Sequence, residues 1–376
     1  MQVERLIERV EKIGRDPKYE RLRRFWDAFY ALKAGRKIPM VITFTMAFYA
    51  KTLGINLIDH YNKPAKYVED SLKIICFLHK EVLDDRVKGE IVINFGEPFE
   101  SSLFGVEPVF RPDTDPWLGE PIIKKEEDLE NLDYPDFYES GPMPKIHETY
   151  ETAKKMVRDK IPIRFERWDR GPWGLAAHLR GFKELKIDTY QNPDFVHKLL
   201  SFVTESRIRW EREKERFLGK KNERPSLGND EVHAQIISPK IYEDFVYPYE
   251  KKLSDFYPQG IFYFHSCGDI TPFLDTIARI RGLRRLHISP VTDFKAAVER
   301  FGRNIVFEKR MDPINDLELC DAQTMEKKIR EILEIGRQVF MEIDPGPIQN
   351  VSLEKVKTWI NVARKATEKE QPLKFQ

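Results

Sequence analysis

With 376 residues, 41% hydrophobic and 33% charged, the chain can build a large core beneath a charge-dense surface, as one large domain or two ordinary ones. Its 63 basic residues nearly cancel its 62 acidic ones, leaving a net charge of +1, so neither nucleic acid nor an anionic membrane is an expected partner. No apolar run approaches the roughly 20 residues of a bilayer span. The opening Met1-Gln2-Val3-Glu4-Arg5-Leu6 lacks the apolar stretch of a signal peptide, which makes the cytoplasm the expected address.

Residues 2–33 have Val3, Leu6, Ile7 and Val10 at helical spacing and predict an amphipathic extension, set apart as residues 1–36. From residue 37 to 376 short apolar runs alternate with longer helical patterns. The runs at 38–44, 89–95, 161–165 and 225–230 predict strands, followed by 260–265, 284–289, 304–308 and 338–343. Helices are predicted over 65–85, 193–220, 239–257, 322–336 and 352–368, several of them opening on a capping residue or proline such as Ser238-Pro239. Eight strand–helix alternations predict the α/β class and, within it, a (β/α)8 TIM barrel. An open doubly wound sheet is disfavoured because no Gly-x-Gly-x-x-Gly turn follows a strand. Residues 96–142, rich in Pro, Gly, Asp and aromatics, break the alternation as a long insertion after the second strand. A plain surface excursion and a binding wall are equally compatible with them.

In such a barrel chemistry gathers at the C-terminal ends of the strands. Those ends carry Asn94, Glu97, Glu166, Arg170, Asp230, His265 with Cys267, His287 with Ser289, Glu308, and Glu342 with Asp344. Three cysteines exclude a disulfide scaffold. Cys76, on an apolar helical stripe, and Cys320 read as structural thiols. Cys267 stands two residues after a strand-terminal histidine, and imidazole plus thiolate is a donor pair suited to Zn²⁺. A packed histidine beside an inert cysteine accounts for the same spacing. Gly268 is expected to let the backbone turn, and Thr271-Pro272 to start the next helix.

The segment His265-Ser266-Cys267-Gly268-Asp269-Ile270-Thr271-Pro272 resembles the uroporphyrinogen decarboxylase superfamily, and within it the corrinoid-linked, zinc-dependent methyltransferases. Further points of similarity are Arg36-Lys37-Ile38-Pro39, Phe104-Gly105, Ser238-Pro239 with Tyr242, Phe245, Pro248 and Tyr249, Asp312-Pro313, and Val351-Ser352-Leu353-Glu354-Lys355. The decarboxylases carry an arginine-rich motif near the first strand, where this chain reads Ile42-Thr43-Phe44-Thr45-Met46-Ala47-Phe48-Tyr49. The resemblance implies His265 and Cys267 as zinc ligands. The family's third ligand, a cysteine near the last strand, is absent. Asp344 is the expected substitute, and Glu342, Asp230, Glu166 and Cys320 are further candidates. Asp230 and Glu166 are expected as catalytic carboxylates, and Phe44, Tyr49, Asn94 and Trp168 as substrate contacts.

The activity so implied is transfer of a methyl group from a methoxylated aromatic compound to the Co(I) of a corrinoid protein. Competing activities are a methylcobamide:thiol methyltransferase of the coenzyme M type, a decarboxylase, or a binding protein without catalysis. An aromatic content of 12% suits a flat guest. The Asp-x-His-x-x-Gly signature of corrinoid-carrying domains is missing, so the corrinoid is expected on a separate protein docked at the barrel mouth, with residues 96–142 in the platform. A homodimer is the expected assembly. Interleaved charges such as Glu211-Arg212-Glu213-Lys214-Glu215-Arg216, and a charged fraction of 33% against an ordinary value of about 25%, predict a thermophilic source.

Overall fold

The computed structural model of the chain describes residues 2–34 and 37–369. Arg36, at the edge of the expected extension and in the run entering the first extended segment, lies outside them. The chain forms an α/β fold with parallel sheets. β1 (Ile91–Val92) pairs with β2 (Ile163–Arg164). β3 (Ser226–Gly228), β4 (Tyr263–His265), β5 (Arg285–Ile288), β6 (Val306–Arg310) and β7 (Phe340–Asp344) form a second sheet in sequence order, so each connection moves one position along it. A bridge between Arg170 and Gly228 brings the chain beyond β2 against β3, and bridges from Met40 to Ile343 and from Phe44 to Ile348 bring residues 40–44 beside β7.

Seven of the eight expected strand segments thus contain a strand, and the eighth, residues 38–44, is extended but pairs only through single bridges. Side chains take the place of a ladder there. The Asp85 carboxylate accepts from Met40 N at 3.0 Å and the Asp84 carboxylate from Ile42 N at 3.2 Å. Lys88 Nζ lies 2.6 Å from Asp84 Oδ1, and Lys37 Nζ 2.6 Å from Asp85 Oδ1. Backbone donors that would be orphaned at a sheet edge are satisfied by these carboxylates, so no closed ladder joins this segment to β1.

The strands' alternation separates core from cavity. Outward positions Leu227, Phe264, Leu286, Ile288, Phe307 and Ile343 are wholly buried against the helices, and each such side chain contributes about 1.5–3 kcal/mol. Inward positions are polar: Tyr263 and His265, Arg285 and His287, Glu308 and Arg310, Glu342 and Asp344. Among the helices, Pro193–Leu218 starts at Asn192, whose side chain accepts from Phe195 N, and stops at Gly219, whose φ is 67°. That left-handed cap costs glycine little. The single helix expected over 239–257 is interrupted by a π turn at Tyr242–Val246, just before Pro248. Proline has no N–H to continue the i−4 pattern, so the wider turn absorbs the break.

The N-terminal residues form two helices, Gln2–Gly14 and Pro17–Tyr30. The second packs under the N-terminal ends of the strands: Phe29 stacks edge-on against Phe340, Tyr30 against Phe262, and Trp26 Nε1 donates to Asp85 O at 2.8 Å. The insertion is ordered rather than a loose excursion. It holds a short helix at Phe99–Ser102 and an antiparallel bridge between Val109 and Trp117. Its Asp115 carboxylate accepts from Met46 N at 3.0 Å and Ala47 N at 2.9 Å, at the start of the helix Met46–Leu53. Among the described residues no helix is long and apolar enough to cross a membrane.

Candidate metal centre

β3 and β4 run parallel with Gly228 beside His265. The next inward position after Gly228 on β3 is Asp230, and the next after His265 on β4 is Cys267, so register alone brings three donors together. His265 Nε2 lies 3.2 Å from Asp230 Oδ1 and 3.3 Å from Cys267 Sγ. The three ligand atoms fall within 4.8 Å of one another, the one such group among the described residues. Donors bound to one tetrahedral zinc at about 2.0 and 2.3 Å stand roughly 3.3–3.5 Å apart, so the spacing fits that ion. Three protein donors on a four-coordinate ion would leave one position open.

The loop bearing Cys267 is tied down. Ser266 Oγ donates to Val232 O at 2.9 Å, Ser289 Oγ and Thr292 Oγ1 donate to Gly268 O at 2.7 and 3.0 Å, and Asp230 Oδ1 accepts from Cys267 N at 3.2 Å. Gly268 serves close approach more than turning. A side chain there would strike the His233 ring at 2.1 Å, and its φ is not in the left-handed region. Thr271 begins a short 3-10 turn, and its N–H is taken by the Asp269 carboxylate at 2.8 Å.

Burial opposes ionisation of Asp230, yet hydrogen bonding and charge from His265 outweigh it and hold the carboxyl below its ordinary range. Burial pushes the Cys267 thiol up, partly offset by His265. His287 stacks on His265 with ring centroids 4.1 Å apart and planes 8° from parallel. Burial, then the charge of His265, lowers its pKa well below the ordinary histidine value. Its Nδ1 pairs with Ser266 O at 2.7 Å.

The donors sit on a cavity of about 1100 Å³ walled by Phe44, Met46, Tyr49, Trp117 and Met311. Phe44 packs 4.5 Å from Phe48 and 5.8 Å from Tyr49, centroid to centroid. A second cavity of about 920 Å³ continues from Asp230 and His265 along the inside of the sheet to the Pro17–Tyr30 helix. A lattice of charge lines it. Arg285 holds Glu342 at 2.5 Å and Glu308 at 3.2 Å, and Arg310 holds Glu308 at 3.0 Å and Asp344 at 3.2 Å.

Two sequence expectations are corrected here. Asp344 does not join the metal group: its oxygens accept from Thr43 N at 3.2 Å, Thr43 Oγ1 at 2.6 Å and Gly346 N at 2.7 Å, and it pairs with Arg310. The carboxylate that stands with His265 and Cys267 is Asp230. Trp168 is a core residue, 1% exposed, packed edge-on to Phe104 and Trp210, and lines neither cavity. Glu342 and Cys320 are likewise engaged away from the donors: Arg285 holds Glu342, and Cys320 Sγ donates to Asn315 O at 2.8 Å.

Glu166 lies at the deeper cavity, accepting from Phe95 N at 2.6 Å and Arg167 N at 3.0 Å, and burial pushes it up to about 8. Asn94 borders both cavities, its Oδ1 accepting from Gly96 N at 2.7 Å. Tyr263 and Arg310, which the polar strand ends alone do not single out, also face the site. The signal for both was the two-residue alternation back from His265 and onward from Glu308.

Residues 90–366 match the uroporphyrinogen decarboxylase (URO-D) family. Two uroporphyrinogen decarboxylases are similar in sequence. That of Sulfurimonas denitrificans is 25% identical over 266 residues, covering 66% of this chain and 71% of the relative. That of Campylobacter lari is 23% identical over 284 residues, covering 70% and 77%. In structure the chain resembles a methyltransferase from Methanosarcina mazei, with a TM-score of 0.69 at 17% identity over 90% of this chain and 96% of that one. At that identity the likeness speaks for the fold.

Proposed function

We propose a function on one premise: the chain belongs to the uroporphyrinogen decarboxylase family. Within it we read the protein as a zinc-dependent methyltransferase whose catalytic domain, expected over residues 37–376 and described as far as residue 369, is a (β/α)8 barrel. It transfers a methyl group from a methoxylated aromatic compound to the Co(I) of a separate corrinoid protein. The observation that carries this reading is the meeting of one imidazole, one thiol and one carboxylate on an aromatic-walled cavity.

His265, Cys267 and Asp230 would hold the metal. Zinc, when bound, supplies Lewis acidity that makes an ether oxygen a better leaving group. A carboxylate in the set, where a second thiolate would make it softer, suits an oxygen-bearing substrate. Phe44 and Tyr49 offer apolar faces to a flat ring, and Asn94 borders the same space. Glu166, held protonated near neutral pH by burial, keeps a proton at the inner end of the site. The insertion 96–142, which carries Trp117 at the cavity rim, is the natural seat for the corrinoid protein.

The test is a reconstitution with zinc, a methoxyaromatic compound and a reduced corrinoid protein. Phenol release and a change in corrinoid absorbance should require all three and vanish in Cys267→Ala. Phenol release without corrinoid protein refutes the mechanism. Methyl transfer only from the corrinoid to a thiol assigns the reverse activity, and CO2 release from uroporphyrinogen assigns decarboxylation.

A further inference from the structure

We propose that Tyr263 is a positioning residue for the metal, its hydroxyl held by Glu308 so that it fixes the ring and tautomer of His265. The inference rests on the zinc reading above and adds a residue that the ligand motif does not contain. Tyr263 and His265 are successive inward positions of β4, and Glu308 is an inward position of β6. The Tyr263 hydroxyl lies 2.9 Å from His265 Nδ1 and donates to Glu308 Oε2.

One hydroxyl has one proton. Donating it to Glu308 leaves the phenolic oxygen as acceptor, so the proton between Tyr263 and His265 belongs to Nδ1. The opposite nitrogen, Nε2, then presents its lone pair, and it is Nε2 that faces Asp230 at 3.2 Å and Cys267 at 3.3 Å. Glu308 is kept as an acceptor by Arg285 at 3.2 Å and Arg310 at 3.0 Å. The ring face is fixed independently by His287, stacked at 4.1 Å. A carboxylate beyond the hydroxyl also makes the imidazole a stronger donor, as outer hydrogen bonds do at other histidine–metal sites. With phenylalanine at 263 the Nδ1–H is orphaned in a buried place, and the tautomer with Nε2–H toward Asp230, which cannot ligate, becomes competitive.

Tyr263→Phe in the full chain is the test, with zinc affinity read by competition against a chromophoric chelator. The variant should bind zinc about 10–100-fold more weakly. Its zinc-free melting temperature should stay within about 3 °C of the parent, since the ring and its packing on Arg285 remain. A second readout is nitrogen NMR of histidine-labelled, zinc-loaded protein, in which His265 should carry its proton on Nδ1 in the parent. Affinity within about threefold of the parent, or a proton on Nε2 there, overturns the proposal while leaving the metal site standing. Absence of zinc uptake by the unaltered chain overturns both.

Discussion

Asp230 and Asp344 compete for one role, and the same substitution at each should have opposite consequences. A protein zinc site is worth about 10–16 kcal/mol over its whole ligand set, or roughly 3–4 kcal/mol per ligand. Asp230→Asn keeps one oxygen but loses the charge, so zinc affinity should fall by about 100-fold or more. The fold should be little affected, because Asp230 is partly exposed at the cavity.

Asp344→Asn should leave zinc affinity within about threefold. Its carboxylate serves Thr43, Gly346 and Arg310 instead, and an amide NH₂ cannot accept from donors on two sides. Losing a hydrogen bond and half of a buried charge pair costs about 2–4 kcal/mol. At roughly 2.1 cal/mol/K per residue over 376 residues, the unfolding entropy is about 0.8 kcal/mol/K, which converts that cost into a drop of about 3–5 °C. Chelator competition and zinc-free thermal melts of the two variants supply the comparison. Zinc loss in Asp344→Asn with an unchanged melt, and full zinc retention in Asp230→Asn, would refute the assignment.

Arg285→Met strands Glu342, leaves Glu308 to Arg310 alone, and should cost about 3–5 kcal/mol at pH 8. Burial already pushes Glu342 up to about 7, so it accepts a proton as pH falls and the deficit should shrink towards pH 6; a deficit that grows on acidification contradicts the charge-lattice account. Glu250 is wholly buried and pushed up to about 7 by burial while Tyr242 and Asn229 donate to it. A folded pKa above the unfolded value means stability is lost as pH rises from about 4.5 to 7. Glu250→Gln should flatten the melting temperature against pH across that window, and an unchanged slope would exclude Glu250 as a source. If the interleaved surface charge reflects a hot habitat, the zinc-loaded protein should melt above about 80 °C; a melt near 50 °C would reduce that pattern to ordinary solvation.

His265 and Cys267 were legible because an apolar run ends on the histidine and the thiol follows two residues on, one strand step along the same face. Asp230 was legible only as one carboxylate among several. What promotes it is the pairing of Gly228 with His265, a cross-strand register that no single segment encodes. The family resemblance pointed to the last strand for a third donor, where Asp344 is instead taken by Thr43 and Gly346. Trp168 looked like a wall residue because it follows a strand. Its burial depends on Trp210, 42 positions along the chain, folding over it. The expected strand at 38–44 reaches β7 only through single bridges for a similar reason: on its other side its partners are the side chains of Asp84 and Asp85, and hydrophobic alternation carries no information about them.

The charge lattice at positions 285, 308, 310, 342 and 344 constrains how this protein can change over generations. Each arginine there answers two carboxylates, and Glu308 answers both arginines. Replacing either arginine alone leaves a buried carboxylate, Glu342 or Asp344, without its cation, at a cost comparable to a large share of a protein's net stability. Such positions drift as a set: relatives should either keep all five or exchange several at once for a combination in which each buried charge again has a partner. The lining of the deeper cavity is therefore slow to diversify one residue at a time, whereas the apolar wall around Phe44, Tyr49 and Met311 is free to vary singly. New substrates within such a lineage are accommodated at the mouth while the interior stays as it was inherited.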